Sequence, residues 1–179
     1  MARWIPAVCG LLLVAGCARS AGLQLQPYAS APHGFVVSRP VSWHLVETEA
    51  GQRIWFLPKP PPEGEVPEAQ ATEFIVVMTR TADGPLPEFE VRRLAMTLLP
   101  MHGVSGFQRT PETTERVAWY RFELTGSTRG REWASLGLLV TGPRRLHYAV
   151  CAAPLEAWRE RQTLCEAVLR SFQPGDLAH

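Results

Sequence analysis

Lysine is nearly missing from this chain: of 18 basic residues only Lys59 is a lysine, and arginine supplies the rest. Aspartate is as scarce, found at Asp83 and Asp176 alone. With 18 basic residues against 17 acidic ones the formal net charge is +1, so no strong field of one sign marks the chain for nucleic acid or for an acidic partner. Two aspartates leave a Ser-His-Asp hydrolase little to work with, and its G-x-S-x-G elbow does not occur. Glutamate can replace aspartate, so a Ser/His/Glu site stays open as an alternative. Phosphate-cradling loops of the G-x-G-x-x-G or G-x-x-x-x-G-K-[ST] kind are missing as well. The histidines, His33, His44, His102, His147 and His179, are dispersed, without the close pairs or Cys clusters that metal sites favour. No metal and no cofactor is expected. Long hydrophobic runs are also wanting: Ile5–Ala15 falls short of the roughly 20 apolar residues that cross a bilayer.

That run has another use. Arg3 precedes it and the small residues Ala15 and Gly16 end it, the layout of a secretory signal. The stretch Leu13-Val14-Ala15-Gly16-Cys17 resembles the bacterial lipobox, Leu-x-small-Gly-Cys. The resemblance implies cleavage before Cys17, a diacylglycerol in thioether linkage to its sulfur, and an acylated new N-terminus; the plainer alternatives are a secretory signal with an incidental cysteine, or a buried N-terminal helix. Two or three acyl chains anchor stably, at about 0.8 kcal/mol per buried CH₂. Ala18 then fits sorting to the outer membrane, because the familiar retention signal at that position is aspartate. The expected partner is therefore a membrane, held through the N-terminal lipid. The expected place is the bacterial cell envelope on its extracytoplasmic side, on the periplasmic face of the outer membrane in a Gram-negative cell.

The rest of the chain reads as one domain. Residues 1–16 form the signal and 17–32 a lipidated N-terminus and flexible tether, because Ala18–Pro32 is small, polar and without periodicity. Residues 33–174 form the domain and 175–179 a tail. Gly34–Pro40, Val41–Glu47 and Gln52–Leu57 read as short strands, the last two paired across Glu49-Ala50-Gly51. Pro58–Pro67 cannot be a central strand; it is extended, and read either as an exposed loop or as a docking ligand. Thr72–Thr79 is apolar on both alternating sets, the mark of a strand covered on both faces. Glu88–Leu99 suits a helix, with Phe89, Leu94, Met96 and Leu98 as its apolar set and Glu88 and Glu90 at the positive end of its dipole. Phe107–Thr110, Arg116–Thr125, Arg131–Thr141 and Arg144–Cys151 return to β, the last three as an antiparallel meander. A final helix puts Leu155, Trp158, Cys165, Val168, Leu169 and Phe172 on one stripe, with Pro154 near its start.

Two sets of residues carry a resemblance to a family. Gly34-Phe35, Arg39-Pro40 and Trp43 resemble the opening of PsbP-like proteins and their bacterial lipoprotein relatives. The tyrosine-bearing strand, Ala153-Pro154 turn and helix ending in Ser171-Phe172 resemble the same family's close. The resemblance implies an α+β fold of the α/β/α sandwich kind, a central and mainly antiparallel sheet with helices on both faces. Family members include photosystem II accessory proteins and many envelope lipoproteins, so the fold does not by itself deliver a function. The proline-rich insert departs from the family core.

Among possible site residues, Cys17 is the lipidation site. Cys151 and Cys165 can pair in an exported protein, a loop whose closure would stabilise by about 3 kcal/mol. Alternation puts Leu146, Tyr148 and Val150 on one face and Cys151 on the other, so the pairing requires a bend before Pro154, or else leaves two buried thiols. Trp119, Arg121, Arg129, Arg131, Trp133, Arg144 and Arg145 form a candidate binding surface, since Trp and Arg are favoured at hot spots. The two tryptophans are equally suited to the core of a two-sided sheet. The reading that follows is a membrane-anchored envelope lipoprotein without catalysis of its own, acting as an accessory or binding module toward an envelope protein. An envelope hydrolase and a small-ligand carrier are the alternatives.

Overall fold

A strand apolar on both sides must have both sides covered, and the molecule is arranged around one. The structure, a computed structural model, describes residues 23–48, 52–63, 67, 72–82, 84, 86–98, 103–128 and 130–175. The expected signal, Cys17 and its lipid, Arg129 and most of the expected tail lie outside the described residues. β5 (Phe74–Thr81) is buried from Phe74 to Thr79 without a break. It lies inside an antiparallel sheet made with β3 (His44–Thr48), β4 (Arg53–Leu57), β6 (Gly103–Arg109), β7 (Ala118–Thr128), β8 (Arg131–Thr141) and β9 (Arg145–Pro154). Its strand order is β3-β4-β5-β9-β8-β7-β6. β7, β8 and β9 form the expected meander, and β9 joins β5 with Val76 opposite Val150.

Each face of the sheet has its own core. On the first, Ile54, Phe56, Ile75, Val77, Leu138, Val140, Ala149 and Cys151 meet Leu164, Cys165, Val168 and Leu169 of helix α2 (Trp158–Arg170). On the second, Trp55, Val76, Met78, Tyr120, Phe122, Leu139 and Tyr148 meet Val91 and Ala95 of helix α1 (Glu88–Leu98). Helices on opposite faces of one antiparallel sheet make the α+β sandwich. The first face carries a further element, a small sheet of β1 (Leu25–Ser30), β2 (Phe35–Pro40) and β10 (Gln173–Pro174), ordered β1-β2-β10.

β1 corrects the expected tether over 17–32. Leu25–Ser30 pairs with β2 along its whole length, Leu25 opposite Pro40 and Ser30 opposite Phe35. Tyr28 sets its ring edge-on to Phe56, centroids 5.3 Å apart, and donates to Glu47 Oε1 at 3.0 Å. Partners from elsewhere in the chain, not local periodicity, fix that segment. The helix stripes also shift. In α1 the small residues Val91 and Ala95 are buried while Phe89 and Met96 face out. At the other end a 3₁₀ turn (Leu155–Ala157) precedes α2 and leaves Leu155 exposed, and Leu164 takes the buried position.

No bend is needed for Cys151. It faces away from Leu146, Tyr148 and Val150, as alternation requires, and that is the face on which α2 lies. The structure joins it to Cys165 with Cα atoms 5.3 Å apart.

Candidate functional site

The polar end of β5 is where the two sheets meet. After the apolar run the strand finishes Thr79-Arg80-Thr81, opposite His147, Leu146 and Arg145 of β9. Thr79 Oγ1 and His147 Nδ1 are 3.1 Å apart, the donor depending on the imidazole tautomer. His147 is fully buried beneath Phe35 and Phe172, whose ring centroids lie 6.1 and 5.6 Å from its own. The β1–β2 turn folds over this end. Gly34 makes the turn possible by holding φ at 65°, a conformation costly for residues with a Cβ. Hydrogen bonds from Gly34 N to Ser30 O (2.8 Å) and from Gly175 N to Gly34 O (2.7 Å) fix it. At the edge Thr79 N donates to Gln52 O at 3.2 Å.

Between these elements lies an open cleft of about 500 Å³ lined by Pro32, His33, Gln52, Thr79, Arg80, Thr81 and Arg145. Among the described residues its lining offers guanidinium, imidazole, amide and hydroxyl donors and no carboxylate. Such a set suits an anionic or acceptor-rich group. The cleft is a polar depression, unlike the enclosed apolar pocket that most small-molecule sites form.

The candidate binding surface does not assemble as one patch. Arg144 and Arg145 stand at the β8–β9 turn beside this cleft, where Ala82 N donates to Arg144 O at 2.9 Å. Arg131 and Trp133 lie at the opposite end of β8, about 34 Å away at 3.4 Å per residue. There Arg131 is bidentate to Glu156 Oε1, at 2.7 and 3.1 Å, and its guanidinium carbon sits 6.0 Å from the Trp133 ring centroid. That hydrogen bond to Arg131 is the main reason Glu156 ionises below the usual carboxylate range. Trp119 and Trp133 point to opposite faces: Trp119 packs on the α2 side, Trp133 on the α1 side against Phe74 at 5.9 Å. Both are half-buried packing residues. Arg121 lines a second, smaller depression of about 260 Å³, walled by Gln162, Glu166 and Arg170 of α2 and by Gln108 and Glu123.

Sequence reasoning thus found Arg144 and Arg145 but missed Thr79, Arg80, Thr81 and Gln52, and took His33 only as a dispersed histidine. The available signal was the abrupt change from Phe74-Ile75-Val76-Val77-Met78 to Thr79-Arg80-Thr81, the point where a two-sided strand reaches the surface. Among the described residues no group of three or more His, Cys, Asp or Glu is placed to hold a metal ion. Among them, too, no helix is long and apolar enough to cross a membrane.

No protein-family model and no curated protein matches the chain. Solved structures do. It is similar to the solution structure of cyanobacterial PsbP (CyanoP) from Synechocystis sp. PCC 6803, with a TM-score of 0.57 and 14% identity over 90% of this chain and 98% of that one. A crystal structure from Bacteroides thetaiotaomicron VPI-5482 matches with a TM-score of 0.51 and 12% identity, over 83% of this chain and 48% of that one. LpqN of Mycobacterium tuberculosis, described as involved in cell envelope biogenesis, gives a TM-score of 0.48 and 13% identity, over 84% and 90%. At such identities the likeness to CyanoP shows the fold alone, and the fold is PsbP-like.

Proposed function

We propose that this chain is an accessory binding module of the bacterial cell envelope, anchored by lipid at Cys17 and without catalysis of its own. It holds a partner through the cleft at the His33 turn. The observation that carries this is the cleft's lining of Arg80, Arg145, His33, Gln52 and the Thr81 hydroxyl, a donor-rich surface open to a large partner. The PsbP-like fold and the lipobox-like Leu13–Cys17 support the same reading. The partner group is anionic, a carboxylate- or phosphate-bearing surface. A photo-crosslinking residue at His33, in the anchored protein within its own membranes, tests it. Capture at position 33 is expected, with loss of capture when Arg80→Glu is added and no capture from a crosslinker at Arg159 on α2. Equal capture at both positions, or capture indifferent to Arg80→Glu, overturns the assignment. Anchoring is tested separately: Cys17→Ser should lose the acyl mass increment, and its persistence would refute the lipid at that cysteine.

A further inference from the structure

We infer that the end of the domain where the chain enters β1 is a membrane-contacting face, resting on the bilayer that holds the lipid anchor. The inference rests on anchoring at Cys17. Three large apolar side chains stand exposed at this end: Leu23 (50%), Val41 (48%) and Leu45 (41%). Val41 N donates to Gln24 O at 3.1 Å, which sets the turn after β2 directly beside the chain's entry. Leu45 lies across from Phe56, the ring that Tyr28 of β1 meets edge-on. The charge at this end is mixed: Arg39 Nη1 donates to Trp43 O at 2.6 Å inside the turn, and Glu47 on β3 and Lys59 just after β4 are exposed. Between these charges the exposed positions of the chain entry and the turn are Leu23, Gln24, Val41, Ser42, His44 and Leu45, with the apolar members foremost. A partly apolar rim with basic groups beside it is what the headgroup and upper acyl zone of a bilayer accommodates.

The length of chain leading to the anchor decides the occupant. From Cys17 to Leu23 the backbone spans at most about 20 Å even when fully extended, at roughly 3.5 Å per residue. A tether running to residue 32 would have reached about 50 Å and left the domain free to turn. Because β1 begins at Leu25, a lipid on Cys17 must lie within about that shorter distance of Leu23. The surface nearest the bilayer is then the Leu23, Val41, Leu45 end. The β1–β2 hairpin, six residues per strand and about 20 Å long, carries the His33 turn to its far end. The cleft accordingly faces the aqueous side, away from the membrane.

Ser42→Cys and Arg144→Cys each provide a labelling site for an environment-sensitive fluorophore, one on each end. The lipidated full chain is placed in vesicles of phosphatidylethanolamine and phosphatidylglycerol containing a nitroxide-bearing lipid, with the acyl mass on Cys17 checked beforehand. The probe at 42 is expected to lose most of its emission to the nitroxide, and the probe at 144 to keep its own. Adding Leu23→Glu, Val41→Glu and Leu45→Glu should restore emission at 42 while the circular dichroism spectrum stays unchanged. With the acyl mass present, an unquenched probe at 42, or equal quenching at 42 and 144, overturns the membrane-contacting face and leaves the anchor standing. Absence of the acyl mass overturns the anchor and this inference with it.

Discussion

Gly137, in the middle of β8, is the position where one methyl group should do most harm. It sits opposite Phe122 of β7. A Cβ built on it falls inside the Phe122 ring, with Cδ2 at 2.7 Å and two further ring carbons nearer still. The ring has no easy retreat. It is 1% exposed and stacked between Phe107 and Tyr148, at centroid distances of 6.1 and 5.7 Å. Two effects of opposite sign compete in Gly137→Ala. Alanine relieves the unfolded chain of glycine's extra freedom, a gain of about 0.5–1 kcal/mol. Overpacking a filled core costs about 1–3 kcal/mol, and more if Phe122 is expelled, since losing a buried phenylalanine costs about 3–5 kcal/mol. The steric cost wins, and a net loss of about 1–2 kcal/mol is expected, lowering Tm by about 2–8 °C for a domain of this size. Urea unfolding followed by circular dichroism measures it. An unchanged or raised midpoint refutes the close approach. A second variant locates the clash: in a Phe122→Leu background the same Gly137→Ala change should cost less, and an identical penalty in both backgrounds would place the strain elsewhere.

Other outcomes follow from the same structure. Replacing Cys151 and Cys165 by serine should cost about 3 kcal/mol, given their sequence separation of 14; titration of the denatured chain that finds both thiols free before reduction would contradict the pairing. Burial pushes the phenols of Tyr28 and Tyr148 above their ordinary value of 10.0, and the hydrogen bond to Glu47 adds to the rise at Tyr28. The neutral phenol is thus favoured by folding, so this stabilisation is complete below pH 10 and is lost as pH rises through the folded values. Spectrophotometric titration should show late-ionising tyrosines, and Tyr148→Phe, which removes a buried hydroxyl with no hydrogen-bond partner, should be neutral or stabilising by about 1 kcal/mol; ionisation of every tyrosine near pH 10 would deny the burial. Arg131→Gln should raise the Glu156 carboxyl toward the usual range, leaving only the smaller lowering from its backbone hydrogen bond, a shift followed by NMR pH titration; an unmoved titration means the ion pair does not form in solution.

Where the chain's pattern was local, the sequence was enough to place the elements. The two-sided run at Thr72–Thr79 announced a strand covered on both faces, and β5 is buried from Phe74 to Thr79. β1 was invisible because Gln24, Gln26, Pro27 and Ser30 show no period, and its stability comes from β2 and from Tyr28 against Phe56. Cys151 was misjudged for want of one fact, which face the last helix covers. Phe89 misled in the opposite way: a large apolar residue looks like core, yet α1 turns the smaller Val91 and Ala95 inward, where the close aromatic packing of the second face leaves little room. The cleft was missed because its residues come from two strands, a turn and the residue before β4, and only the register Thr79–His147 and Thr81–Arg145 brings them together.

The strand order has a consequence for how the molecule comes into being. β3, β4 and β5 can zip up through near neighbours, and so can β6 through β9, but the two groups meet along a single seam between β5 and β9. As the chain emerges N-terminus first, Val76 must wait for Val150 before its second flank is satisfied. Until then a hydrophobic strand edge stands open, the kind of surface that invites chaperones or a second copy of the same chain. The closing of that seam, dependent on contacts distant in sequence, is the step that makes folding slow.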